Sequence, residues 1–211
     1  MSVPRTVRLL LAAVIAVSAA SVSASAGAGP TDYGYTGGSD PVRAPDSTDH
    51  WHCKDEFGIH HSYLNSAMQQ LDDQTVMDRY DAGSCGSATD VVWVKTVLGG
   101  IDGGATEAKT VCVSHVSWGV CDQHWVLIDQ PSIYARAFTD GSSDPGHWYA
   151  VNIQKTMRHE LGHTAGLHHS TGSLNSTYQV MNTADVPNSN SSWLTYLAYA
   201  GLHEDLIDDH F

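Results

Sequence analysis

Basic residues are scarce in this chain: 10 Lys and Arg stand against 23 Asp and Glu, for a formal charge of −13. A chain so acidic is a poor partner for nucleic acid or for an anionic membrane surface. Long apolar runs are missing too. The longest, Leu9 to Ala20, has 12 residues, short of the roughly 20 needed to cross a bilayer as a helix. No C-x-x-C pair occurs among Cys53, Cys85, Cys112 and Cys121, which argues against a redox motif or a cysteine-based zinc site. No internal repeat is visible.

The short apolar run has its own meaning. Arg5 and Arg8 precede it and Ala24-Ser25-Ala26 follows it, the order of a secretory signal peptide with its small-residue cleavage site. Residues 1–26 are therefore read as a signal peptide, and the remainder as a secreted, extracellular protein with no membrane segment after signal removal. Four cysteines in an exported chain imply two disulfides. Of the three pairings, Cys112–Cys121 closing a short loop between strands, with Cys53–Cys85 tying the early helix down, is the one favoured.

Residues 27–48 are rich in Gly, Pro, Ser and Asp and read as a flexible linker or short pro-segment. Residues 49–211 have the composition of one globular domain, expected to be a monomer. Ile59 to Tyr80 has helical spacing, with Tyr63, Leu64, Ala67, Met68, Leu71 and Val76 as its apolar stripe. Asp90 to Leu98, Thr110 to Val116 and His124 to Asp129 are strand-like, being β-branched and aromatic. The glycine-rich stretch Gly99 to Gly104 leaves room for Ca2+ through Asp102 and Glu107, although such turns more often hold no metal. Trp193 to Phe211 reads as a closing helix with Leu194, Leu197, Ala198, Leu202, Leu206 and Ile207 on one side.

The informative stretch is His159-Glu160-Leu161-Gly162-His163-Thr164-Ala165-Gly166-Leu167-His168-His169. Thirteen histidines in the chain make some clustering unsurprising. Yet composition alone would produce H-E-x-x-H-x-x-G-x-x-H only about 10⁻⁴ times in a chain of this make-up. On a helix His159 and His163 leave from one face, one turn apart, and can grip a single metal ion. Gly166 can adopt the left-handed conformation that ends a helix, which brings His169 round as the third ligand. Glu160, beside the first ligand, is placed to take a proton from a metal-activated water. Asp144-Pro145 reads as the helix's N-cap and first residue. Around the helix, Asn152, Thr156, His159 and His163 share a polar side expected to line a cleft. Ala150, Ile153, Met157, Leu161 and Thr164 form the side expected to bury against a sheet.

This motif resembles the signature of the metzincin zinc endopeptidases. Its wording, with Ser170 after His169, is similar to that of the matrixins. The resemblance covers Asp144 to about Pro187. Met181, twelve residues past His169, looks like the methionine turn of that clan. The resemblance implies an α+β catalytic domain: a twisted mixed sheet of about five strands on an active-site helix, a methionine turn and a C-terminal helix behind the site. It implies one catalytic Zn2+ on His159, His163 and His169, with Glu160 as general base and peptides or proteins as substrates. It also implies that substrate adds as a strand to an exposed edge, for which Thr110 to Val116 is the candidate, and that Thr183 to Asn188 walls the pocket after the scissile bond. Two family features are lacking. Thr183 stands where some members carry a metal-reaching tyrosine, and no Pro-Arg-Cys-Gly latency segment occurs. A second, structural zinc cannot be matched to His115, His124 and His147. The same ligands would serve a zinc hydrolase acting on a non-peptide or cell-wall amide. A secreted, non-catalytic zinc-binding module is the reading from another class, and the intact Glu160 speaks against it.

Overall fold

A computed structural model describes residues 44–55, 61–98, 107–117, 120–139, 144–169, 179–182, 186, 193–199, 201–209 and 211. The signal peptide, most of the linker, Asp102, Ser170, Thr183 and most of the proposed pocket wall lie outside the described residues.

Six strands form one mixed sheet: β1 (Ala44–Pro45), β2 (Asp49–Asp55), β3 (Asp78–Asp81), β4 (Val91–Lys95), β5 (Ala108–Ser117) and β6 (Val120–Ile128). The order across the sheet is β5, β6, β4, β2, β3, with β1 beside the start of β6. All pairs are parallel except β5 with β6. β5 therefore lies at one margin and, among the described residues, pairs with β6 alone. The α+β class expected from the sequence is present, as are the three predicted strands, β5 and β6 each somewhat longer than anticipated.

Helices α1 (His61–Gln74) and α3 (Pro145–Thr164) share one core with the sheet. From α1 come Leu64, Ala67, Met68 and Leu71; from α3, Ile153, Met157 and Leu161; from the strands, Val91, Trp93, Val126 and Ile128. The apolar side of α3 thus buries where its 3.6-residue spacing places it. Its first turn is capped as expected, Asp144 Oδ1 accepting from the His147 N–H at 3.1 Å with Pro145 at the first helical position.

Several sequence expectations require correction. The helix read over Ile59 to Tyr80 stops at Gln74, and its tail is strand β3, paired with β2. Thr75 ends the helix: its hydroxyl bonds back to the Leu71 carbonyl and accepts from the Met77 N–H, the local bonding that competes with helix. The Asp78 N–H then goes to the Thr48 carbonyl, and Val76, assigned to the buried stripe, is 44 % exposed. The linker ends earlier than read, because Ala44 and Pro45 already pair with β6. Strand β2 and helix α2 (Gln130–Thr139) were not anticipated. In β2 the inward positions include His50 and His52, so the period-2 signal carries no apolar alternation.

The closing helix is broken into a 3₁₀ turn (Trp193–Leu197) and α4 (Gly201–Asp208). Between them the Ala198 carbonyl accepts from the Val180 N–H. That bond couples the chain end to the turn at residues 179–182. Leu194, expected on the buried side, is 64 % exposed, whereas Leu197 and Ile207 are buried as read.

Both disulfides form in the favoured pairing, Cys53–Cys85 and Cys112–Cys121. They suit an oxidising compartment. No helix among the described residues is long and apolar enough to cross a membrane.

Candidate metal centre

Helix α3 delivers His159 and His163 from one face, and its C-terminus delivers the third histidine. Gly166 takes φ +90°. The Gly166 N–H reaches the His163 carbonyl at 3.1 Å and the Leu167 N–H reaches the Gly162 carbonyl at 2.9 Å. This pair of bonds is a Schellman turn, which ends the helix and reverses the chain. His169 then lies beside the other two, ring centroids 4.9 Å from His159 and 4.7 Å from His163. One ligand atom from each of the three falls within 4.8 Å of the others, a spacing able to hold a metal ion.

The hydrogen bonds behind the rings decide what faces inward. His159 Nδ1 lies 2.9 Å from the Val180 carbonyl, and His163 Nδ1 lies 2.6 Å from the Leu167 carbonyl. A carbonyl only accepts, so both Nδ1 atoms carry the proton. Both Nε2 atoms are left as bare lone pairs, and they face each other at 3.2 Å. Two such lone pairs repel at that distance unless a cation lies near both. Burial keeps the rings in this neutral form. It pushes His159 well below the usual histidine range, helped by His163, Lys155 and His169. It likewise lowers His163 to about 4, and lowers His169 to about 4 with His163 and Lys155 contributing. Neutral imidazole is the metal-binding form.

Glu160 is buried on the same helix, and burial pushes its carboxyl up to about 7 against the opposing hydrogen bond from Thr110 and the charge of Lys155. The Thr110 hydroxyl, on β5, lies 2.8 Å from Glu160 Oε2 and 2.9 Å from the Glu160 main-chain oxygen.

Met181 is fully buried with its sulfur packed directly on Gly162, between the two helical histidines in sequence. Gly162 is required by close approach: a Cβ there would collide with Met181 Sδ and sit 3.1 Å from the Tyr199 ring. The Tyr199 hydroxyl donates to the Arg158 carbonyl at 2.8 Å, so the segment just before α4 packs against α3.

On the polar side of α3, Asn152, His159 and His163 are all buried, and residues 180, 182 and 186 bond to this side of the helix. Asn152 Oδ1 accepts from the Val186 N–H at 3.1 Å, and Lys155 Nζ donates to the Asn182 carbonyl at 2.5 Å. Asn152 was read on this polar side from the sequence, whereas Lys155 was not singled out; its position one turn ahead of His159 was the available signal. Thr110 had no such signal, being fifty residues from Glu160.

Of the other histidines, His50 is a core residue whose Nε2 lies 3.2 Å from Thr164 Oγ1, and His52 is buried beside it on β2. Cys112, Cys121 and His124 also cluster at metal-holding distances, but both sulfurs are committed to the disulfide and offer no thiolate. Glu107, assigned to the calcium reading, pairs with Arg136 at 3.0 Å. No family model matches the chain, and neither the curated proteins nor the solved structures searched give a match.

Proposed function

We propose that this chain is a secreted zinc-dependent endopeptidase of the metzincin type, nearest in motif wording to the matrixin-like branch. The observation carrying this reading is the pair of unprotonated Nε2 atoms facing each other at 3.2 Å, with His169 completing the ring and Glu160 alongside. The donor set fits zinc. Three neutral imidazoles with no fourth protein ligand is a composition used by catalytic zinc, whereas structural sites close with four. Among the described residues, no fourth His, Cys, Asp or Glu joins the cluster.

His159, His163 and His169 would hold the ion. When bound, zinc lowers the pKa of a water to near neutrality and polarises a carbonyl as a Lewis acid. The chain's own residues supply the rest. Glu160 accepts a proton from the attacking water and returns it to the leaving amine nitrogen. Burial raises the proton affinity of this carboxyl, which suits a group that must both take and give that proton. The Val180 and Leu167 carbonyls keep both rings in the ligating tautomer. Such outer hydrogen bonds typically matter 10- to 100-fold in metal affinity. Strand β5, which pairs with β6 alone among the described residues, lies at the margin of the sheet, where an extended peptide would add as a further strand. The two disulfides and the signal-like N-terminus support an extracellular setting.

The test is to incubate the zinc-loaded protein with an unfolded protein substrate, with and without a chelator. Cleavage should vanish on chelation and return with zinc. Glu160→Ala should retain zinc while losing about 10²- to 10⁴-fold in turnover, and His169→Ala should lose zinc affinity first. Wild-type turnover from Glu160→Ala, or a folded, zinc-loaded protein that cleaves no peptide bond, would end this reading.

A further inference from the structure

Glu160 is held from outside its own helix. A glutamate side chain has three rotatable bonds, and burial gives its carboxylate no water cage to orient it. Here one hydroxyl does so. Thr110 Oγ1 sits 2.8 Å from Oε2 and 2.9 Å from the main-chain oxygen of the same glutamate. That contact fixes one oxygen of the base, Oε2, from another element of the fold.

The tether comes from an informative place. Thr110 lies within β5, opposite Val126 of β6, and β5 has no described partner on its outer side. The strand that would receive a peptide is thus the strand that grips the base.

We propose that Thr110 is a positioning residue that couples seating of a peptide on β5 to the aim of the Glu160 carboxylate. This rests on the endopeptidase reading above. A free margin strand has backbone groups bonded on one side only and moves more than a paired one. Filling its outer side with a peptide stiffens β5, and with it the Thr110 hydroxyl and the carboxylate it holds. Binding energy from substrate residues remote from the cleaved bond is thereby converted into rate.

The comparison is between wild type, Thr110→Val and Thr110→Ser, each zinc-loaded, on a series of peptides extended along one sequence. Valine keeps the shape and strand preference of threonine but cannot donate. In wild type, kcat should rise with peptide length. In Thr110→Val, kcat should fall about 10- to 100-fold, the scale of misplacing a catalytic group by about 1 Å. Its length dependence should flatten, while KM stays within about threefold and zinc stoichiometry is unchanged. Thr110→Ser should restore both kcat and its length dependence. Should the valine variant not fold, Thr110→Ala carries the same comparison.

Wild-type kcat in Thr110→Val, alongside an inactive Glu160→Ala, would overturn the role of Thr110 and leave the endopeptidase reading standing. A kcat loss with the length dependence intact would overturn the coupling. Absence of cleavage by the wild-type protein would instead remove the reading beneath both.

Discussion

Gly162→Ala tests how tightly the metal helix and the turn beneath it are fitted. In an exposed helix this change would stabilise, by about 0.8–1 kcal/mol from helix propensity. Here the added methyl would fall on Met181 Sδ and sit 3.2 Å from Met181 Cε and 3.1 Å from the Tyr199 ring. The sulfur is in the middle of the side chain and fully buried, so it cannot swing aside as a chain end would. Overpacking of a filled core costs about 1–3 kcal/mol. Set against the propensity gain, a net loss of about 0–2 kcal/mol is expected. The displaced Met181 is next to Val180, whose carbonyl orients His159. Metal affinity should therefore fall about 10-fold or more, within the range for loss of such a hydrogen bond. Urea unfolding of the chelated protein measures the first effect, and zinc competition against a chromophoric chelator the second. Gly201→Ala is the control, since a Cβ there meets nothing within 4 Å; it should be neutral or slightly stabilising. A Gly162→Ala protein that is more stable and holds zinc as tightly as wild type would refute the fit of Met181 beneath the helix.

The two disulfides should contribute unequally. Cys53–Cys85 spans 32 positions and Cys112–Cys121 spans 9, so loop entropy assigns them about 3.7 and about 2.7 kcal/mol. Replacing each pair with alanines and comparing denaturant midpoints checks the order, and a larger loss from the 112–121 pair would contradict it. Asp90 gives a pH dependence. Burial, opposed by the Trp51 N–H bond and joined by Asp46, Asp49 and Asp122, raises its carboxyl to about 6. A folded-state value above the unfolded 3.8 means the native state binds the proton more tightly. That contribution to stability is full below about pH 4 and is lost as pH rises through about 6. Asp90→Asn should then be more stable than wild type at pH 7 and above, by no more than about 1 kcal/mol once solvent screening of this half-exposed group is allowed for. The advantage should vanish by pH 4; thermal melts across that range that stay parallel would refute it.

Much of the centre was readable from the order of residues because its parts are local. His159 and His163 are one helical turn apart, Gly166 lies at the helix end, and Asp144 and Pro145 lie at its start. Each relation is fixed by helix geometry within a few residues. The misreadings fall where a distant partner decides. The tail of α1 has helical spacing, yet Asp78 to Asp81 become a strand because β2 offers them a ladder. The closing helix breaks because Val180 takes the Ala198 carbonyl. β2 escapes notice because histidines fill its inward positions.

The chain's order by itself determined that three imidazoles and a carboxylate would share one end of one helix, since backbone hydrogen bonding sets that spacing whatever surrounds it. It also determined an even, pairable set of cysteines. Only the tertiary structure decided which nitrogens of those imidazoles face inward, through the Val180 carbonyl, and which strand holds the carboxylate, through Thr110. It alone placed Met181 under Gly162. These contacts join residues 19 to 50 positions apart. Burial of a shared core, rather than local chain geometry, brings them together.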